Sequence, residues 1–172
     1  HSHNFMKTAL IAGASGLVGS ALLPMLLAHP EYTRVISLGR RKLPIEHPKL
    51  EQHVVDFNDL SLFDTPSDHV YCCLGTTIRV AGSKERFFEI DHDYPLHLAT
   101  AALRTGAKRY TVVTAVGADA NSSIFYSSVK GKLEQQLQTL GYESVIIIRP
   151  SMLLGQRKET RPAEYISKHL MT

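Results

Sequence analysis

The chain has 172 residues, 44% of them apolar and 20% charged, which fits one globular domain with a real core and excludes a disordered or low-complexity tract. A formal net charge of +3 gives no reason to invoke a nucleic-acid partner or an anionic membrane surface. The longest apolar run, around Leu22 to Ala28, carries Pro24 and is too short to cross a bilayer.

The opening "HSHNF" at 1–5 reads as an expression-tag remnant, with Met6 as the natural start. "KTALIAG" is a short buried strand that runs into a glycine turn. The apolar helix "LVGSALLPMLLAHP" follows, and Pro24 should kink or shorten it. "RVISLGR", "HVVDF" and "HVYCCLG" read as the second, third and fourth strands, and "TTIRVAGSK" as a polar loop. "RFFEIDHDYPLHLATAALRTG" is a long helical region, broken near Asp91 to Pro95 and ending on Gly106. "RYTVVTAVG" is a fifth strand, "YSSVKGKLEQQLQTLG" a helix reaching Gly141, and "SVIIIRP" a sixth strand.

The apolar runs are short, β-branched and non-alternating, as in strands buried on both faces. Strands alternating with helices require right-handed crossovers. The expected class is therefore α/β: a Rossmann-like doubly wound parallel sheet with helices on both faces, in a single domain. Cys72 and Cys73 are strand neighbours that point to opposite faces, so they are expected to be free core thiols in a reducing cytoplasm. The histidines show no ligand spacing with a carboxylate, so no metal site is expected, and His92 and His97 should decorate a helix.

"GASGLVG" follows the first strand and opens the first helix, with glycines at 13, 16 and 19. In a dinucleotide site such glycines serve a tight turn, close approach to the pyrophosphate, and helix–strand contact. The first helical N–H groups then face the diphosphate. Gly13, Ser15, Gly16, Leu17, Val18 and Gly19 are the candidate cofactor-binding residues there. An NAD site usually ends its second strand on an acid that bonds the ribose 2′-OH. Here that strand ends "LGRR", and the guanidinium groups of Arg40 and Arg41 suit a 2′-phosphate. NADP(H) is therefore expected over NAD(H).

"GASGLVG", "GRR", "DF", "CCLGTT", "GAKRYTVVTAVGAD", "SSIFYSSVKGKLE" and "IIIRPSMLLGQR" occur in this order between about Lys7 and Arg157. Together they resemble the atypical short-chain dehydrogenase/reductases, in the group that includes the Tat-interacting tumour-suppressor protein and its bacterial relatives. The resemblance implies an NADP(H) cofactor on residues 6–172, with a short substrate-side segment from about 151. It implies that Asp56 and Phe57 end the third strand near the adenine. Leu74, Gly75 and Thr76 would pass the ribose and nicotinamide, and Pro150, Met152 and Leu153 would close over the nicotinamide. A homodimer through the helices around Leu96–Leu103 and Tyr126–Leu140 is a family-level expectation.

Tyr126 and Lys130 stand one helical turn apart on one face. A tyrosine hydroxyl titrates near 10 in water, and a nearby ammonium favours the phenolate. Tyr126 could then give a proton to a carbonyl oxygen as hydride arrives, with Lys130 holding the nicotinamide ribose. The same face carries Val129, Leu133 and Leu137, so packing alone is the competing account. The resemblance places a substrate-holding hydroxyl at the end of the fifth strand. Thr114 supplies one, and Ala115 beside it does not.

Three functions follow. The first is an NADP(H)-dependent oxidoreductase acting on a small carbonyl or alcohol. The second is an NADP(H)-binding sensor that meets a protein partner in a cofactor-dependent way. The third is a nucleotide-sugar epimerase or dehydratase.

Overall fold

A computed structural model describes residues 6–150. The chain runs through β1 (Lys7–Ala12), α1 (Leu17–Ala28), β2 (Tyr32–Gly39), β3 (Leu50–Val54), β4 (His69–Cys72), α2 (Ile78–Ala81) and α3 (Lys84–Phe88). A π-helical turn (Glu89–Asp93) leads into α4 (Tyr94–Arg104), then β5 (Arg109–Val113), α5 (Phe125–Leu137) and β6 (Ser144–Ile148). All six strands are parallel in the order β3-β2-β1-β4-β5-β6. This is the expected doubly wound order. The direction of winding reverses between β1 and β4, and the crevice beyond their carboxyl ends is where such sheets bind ligands.

Successive residues of the central strands feed opposite layers. Leu10, Ala12, Ile36, Leu38, Val70, Cys72, Tyr110 and Val112 pack with Leu98 and Ala102 of α4 and Leu133 and Leu137 of α5. Ala9, Ile11, Val35 and Tyr71 pack with Leu22, Leu23 and Leu26 of α1. Both faces being covered explains the non-alternating strands. Cys72 lies in the first layer and Cys73 against the second, and both are free thiols.

Five local readings change. Helix α1 runs through Pro24 to Ala28 instead of stopping there. Pro24 and Ser20 are both exposed, so the carbonyl that loses its helical partner faces water. Strand β3 begins at Leu50, before "HVVDF", leaving Asp56 and Phe57 in the turn after it. The polar loop contains the single turn α2, capped by the Thr77 side chain and closed by Gly82 at φ +91°. The break near Pro95 is a π-turn, which carries the helical path across a proline that has no N–H to give. Helix α5 also ends at Leu137, short of Gly141.

At the amino end of the sheet the buried Tyr32 hydroxyl meets Tyr71 at 2.5 Å and His69 Nδ1 at 2.7 Å. Arg109 reaches the same ring nitrogen at 3.0 Å. Burial and then the Arg109 charge hold the His69 imidazole down at about 4. An unfolded histidine titrates near 6.5, so between these values the unfolded chain binds a proton that the native chain does not. Stability is fully present above about pH 6.5 and is lost as pH falls toward 4. Calorimetric unfolding should show this acid loss, and His69→Gln should reduce it by about 1–3 kcal/mol.

Candidate functional site

A cavity of about 320 Å³ opens at the carboxyl ends of β1, β2 and β4. Gly13, Ser15 and Gly16 form one wall, Arg40 and Arg41 the end beside β2, and Leu74, Gly75 and Thr76 the wall after β4. Phe57, Val80, Ala81, Arg86, Ile90 and Tyr94 complete the far side. Among the described lining residues there are three arginines and no carboxylate.

The three glycines separate cleanly by what surrounds them. At Gly13, with φ +86°, an added Cβ would stand 2.6 Å from the Cys73 carbonyl group. At Gly19 it would stand 2.0 Å from the Gly13 oxygen. Both are required by the protein's own packing. At Gly16 the nearest atom would be the Gly13 oxygen at 3.5 Å, an ordinary contact. Nothing in the chain itself demands glycine at this position on the cavity wall. A diphosphate laid against the backbone does, so the turn fits a dinucleotide. Leu17, Val18 and Gly19 form the first turn of α1, with Leu17 exposed.

Phe57 is buried at the cavity and stacks on Tyr94 with ring centroids 5.7 Å apart. Asp56 is exposed and caps its own turn by accepting from the Asn58 N–H at 2.9 Å. Arg86 stands over the Tyr94 ring, donates to its hydroxyl at 3.0 Å, and pairs with Glu89. The Pro150 carbonyl accepts from Val116 N–H at 3.3 Å. Met152 and Leu153 lie outside the described residues.

Tyr126 and Lys130 do come together. The Lys130 ammonium lies 5.6 Å from the centroid of the Tyr126 ring, and Phe87 packs against the same ring at 5.4 Å. Lys130 is buried, and its Nζ would be 3.9 Å from a Cβ on Gly75, so it stands at the cavity's β4 edge. Its partner was not anticipated. Asp91, fully buried in the π-turn, accepts from Lys130 Nζ at 2.5 Å through Oδ1 and from Thr76 N–H at 3.0 Å through Oδ2. Burial pushes the Asp91 carboxyl up, against the opposing pull of the Lys130 charge and the two hydrogen bonds. An acid with Phe87, Phe88, Tyr94 and Pro95 three and four positions away in "FFEIDHDYPL" was the available signal.

Thr114 goes elsewhere. Its hydroxyl donates to Glu134 Oε2 at 2.7 Å, and Arg149 grips the same carboxylate at 2.5 and 3.0 Å. His92 does not decorate the helix. It is buried, stacks on Phe88 at 4.3 Å, and joins Asp93 and Gln136 across to α5.

Residues 9–171 match the family described as "NAD dependent epimerase/dehydratase family". The chain belongs to that family. It is 37% identical to the rat protein HTATIP2 over 169 residues, covering 94% of this chain and 69% of that relative. It is 34% identical to the protein "fmp52, mitochondrial" of Emericella nidulans, covering 95% of this chain and 74% of the other. The Tat-interacting group seen in "CCLGTT" and "RPSMLLG" is thus the right one. Among solved structures, MoeE5 in complex with UDP-glucose and NAD superposes with a TM-score of 0.68 at 20% identity, over 83% of this chain. That likeness shows the family's fold, and this chain spans about half of that structure, 53%. No helix among the described residues is long and apolar enough to cross a membrane.

Gly16→Ala should leave ligand-free thermal unfolding within about 0.5 kcal/mol of wild type while weakening dinucleotide affinity about tenfold. Gly13→Ala should unfold the protein at much lower temperature. Equal effects of the two on stability would remove the case for a ligand at Gly16.

Proposed function

We propose that this chain is an NADP(H)-dependent oxidoreductase of a small carbonyl or alcohol. The observation that carries the reading is one cavity with the guanidinium groups of Arg40 and Arg41 at its β2 end and a Gly75 wall at its β4 end, with the buried Lys130 ammonium directly behind that wall. Cations and no carboxylate where the adenosine ribose would lie favour a 2′-phosphate over a free 2′-hydroxyl. When bound, the nicotinamide supplies or accepts the hydride. The residues of the chain do the rest. The glycine turn and the α1 amino terminus receive the diphosphate. Phe57 and Tyr94 offer an apolar floor at the adenosine end. Tyr126 passes the proton between its hydroxyl and the substrate oxygen. Lys130, held on Asp91, would hold the nicotinamide ribose. Pro150, at the end of the described residues, would bound the nicotinamide side.

One observation favours a second reading, an NADP(H)-binding sensor that meets a partner protein without useful turnover. The Thr114 hydroxyl donates its hydrogen bond to Glu134 and Ala115 has no hydroxyl, so a carbonyl oxygen would lack the donor that accompanies tyrosine. Thr114 serves the substrate only if its hydroxyl leaves Glu134. A reducing compartment suits the free thiols under either reading, and the cytoplasm is our assignment.

Thermal unfolding with NADPH, NADH and ADP-ribose tests the cofactor. NADPH at a hundred times its Kd should add about 2.7 kcal/mol, NADH much less, and Arg40→Ala should erase the difference. No shift with any of the three defeats both readings. A carbonyl panel then separates them. Turnover that Tyr126→Phe lowers by about 10²–10⁴, with NADPH binding intact, supports the enzyme. Silence across the panel supports the sensor. Added stabilisation by UDP-glucose beyond NADPH would move the chain toward the sugar-nucleotide chemistry named for its family.

A further inference from the structure

The buried ion pair at the β4 edge has a consequence for that chemistry. Asp91 is fully buried, yet its two oxygens serve two different elements, Oδ1 the ammonium of Lys130 on α5 and Oδ2 the backbone N–H of Thr76 after β4. It occupies the centre of the π-turn, and both Asp91 and the next residue, His92, are buried. Gly75 lies directly on the pair, where a Cβ would come within 3.3 Å of the Asp91 oxygen. The turn 74–76 on the cavity wall and the lysine are therefore held by one carboxylate.

We propose that Asp91 is the positioning residue of this site, fixing the Lys130 ammonium against the Leu74–Thr76 wall and beside the Tyr126 ring. This rests on the reading of Tyr126 and Lys130 given above. A lysine stem has four rotatable bonds and a point charge that accepts many directions. A buried ammonium without a fixed anion would turn outward toward water. Asp91 removes that option, and its second bond makes the wall register with the lysine. Its role is exerted through Lys130 and not on the substrate.

The pair has a signature in the ligand-free protein. Asp91→Asn leaves a buried ammonium without an anion, and Lys130→Met leaves a buried carboxyl without a cation. Each should lower the unfolding temperature. In the Lys130→Met background, however, Asp91→Asn should raise that temperature or leave it unchanged, because the carboxyl it removes has lost its partner. Equal losses in both backgrounds would mean that Asp91 acts independently of Lys130, and would overturn the proposal. The functional readout is steady-state kinetics over pH with NADPH and the substrate found by the carbonyl panel. Asp91→Asn should lower kcat about tenfold or more, with a smaller change in KM, and should displace the pH profile. A profile and kcat identical to wild type overturn the positioning role while the oxidoreductase reading stands. Wild-type protein that binds no dinucleotide overturns that reading and the positioning role with it, and the thermal cycle then reports on the ion pair alone.

Discussion

Gly13 leaves β1 at φ +86° and passes the end of β4 so closely that a Cβ would stand 2.6 Å from the Cys73 carbonyl group. The first turn of α1 then rests on Gly13 itself, with room for no side chain at Gly19. These backbone-to-backbone approaches set where the sheet ends, where α1 begins, and how wide the crevice between β1 and β4 can be. The cavity, the wall formed by 74–76 and the orientation of the helix amino terminus all inherit their positions from them. A hydrogen bond could be replaced by water, but overlap of this kind has no substitute.

Helix α5 answers that wall from the other side of β4. Tyr126, Lys130 and Glu134 follow at intervals of four on one face, and the two charged members are buried. Lys130 is neutralised by Asp91 and Glu134 by Arg149. Burying charge costs several kcal/mol per ion before pairing recovers it, so such pairs are poor devices for stability alone. They are good devices for position. Gly131, between them, lies so near the loop that a Cβ would come within 2.2 Å of Ala120 N. The loop leading from β5 is therefore clamped onto the same helix that carries the tyrosine. Glu134 meanwhile ties the ends of β5 and β6 to α5 through Thr114 and Arg149.

The β2 end of the cavity is held more lightly. Arg40 and Arg41 are exposed at the tip of β2, while Arg86 is braced by Glu89 and the Tyr94 hydroxyl. Phe57 reaches the cavity although β3 stops at Val54, because the Asp56 turn redirects the chain inward. A residue predicted at a strand end thus lines the cavity from a loop, and its neighbour Asp56 does not.

Alternating apolar strands and helices, the glycine spacing and the bases after β2 are local patterns. Period and composition decide them within a dozen residues, so the sequence by itself determined the doubly wound class, the glycine turn between β1 and α1 and the closeness of Tyr126 to Lys130. Asp91, the direction of the Thr114 hydroxyl and the burial of His92 belong to another kind of fact. Each depends on a partner 15–44 positions away, whether Thr76 and Lys130, Glu134, or Gln136. The π-turn that aims Asp91 inward has no local composition of its own, and a proline read as a break became a change of helical pitch. Which group takes the Thr114 hydroxyl and which acid holds the lysine were decided only when α4 and α5 packed against the sheet, because only then did those groups lose water and have to find one another.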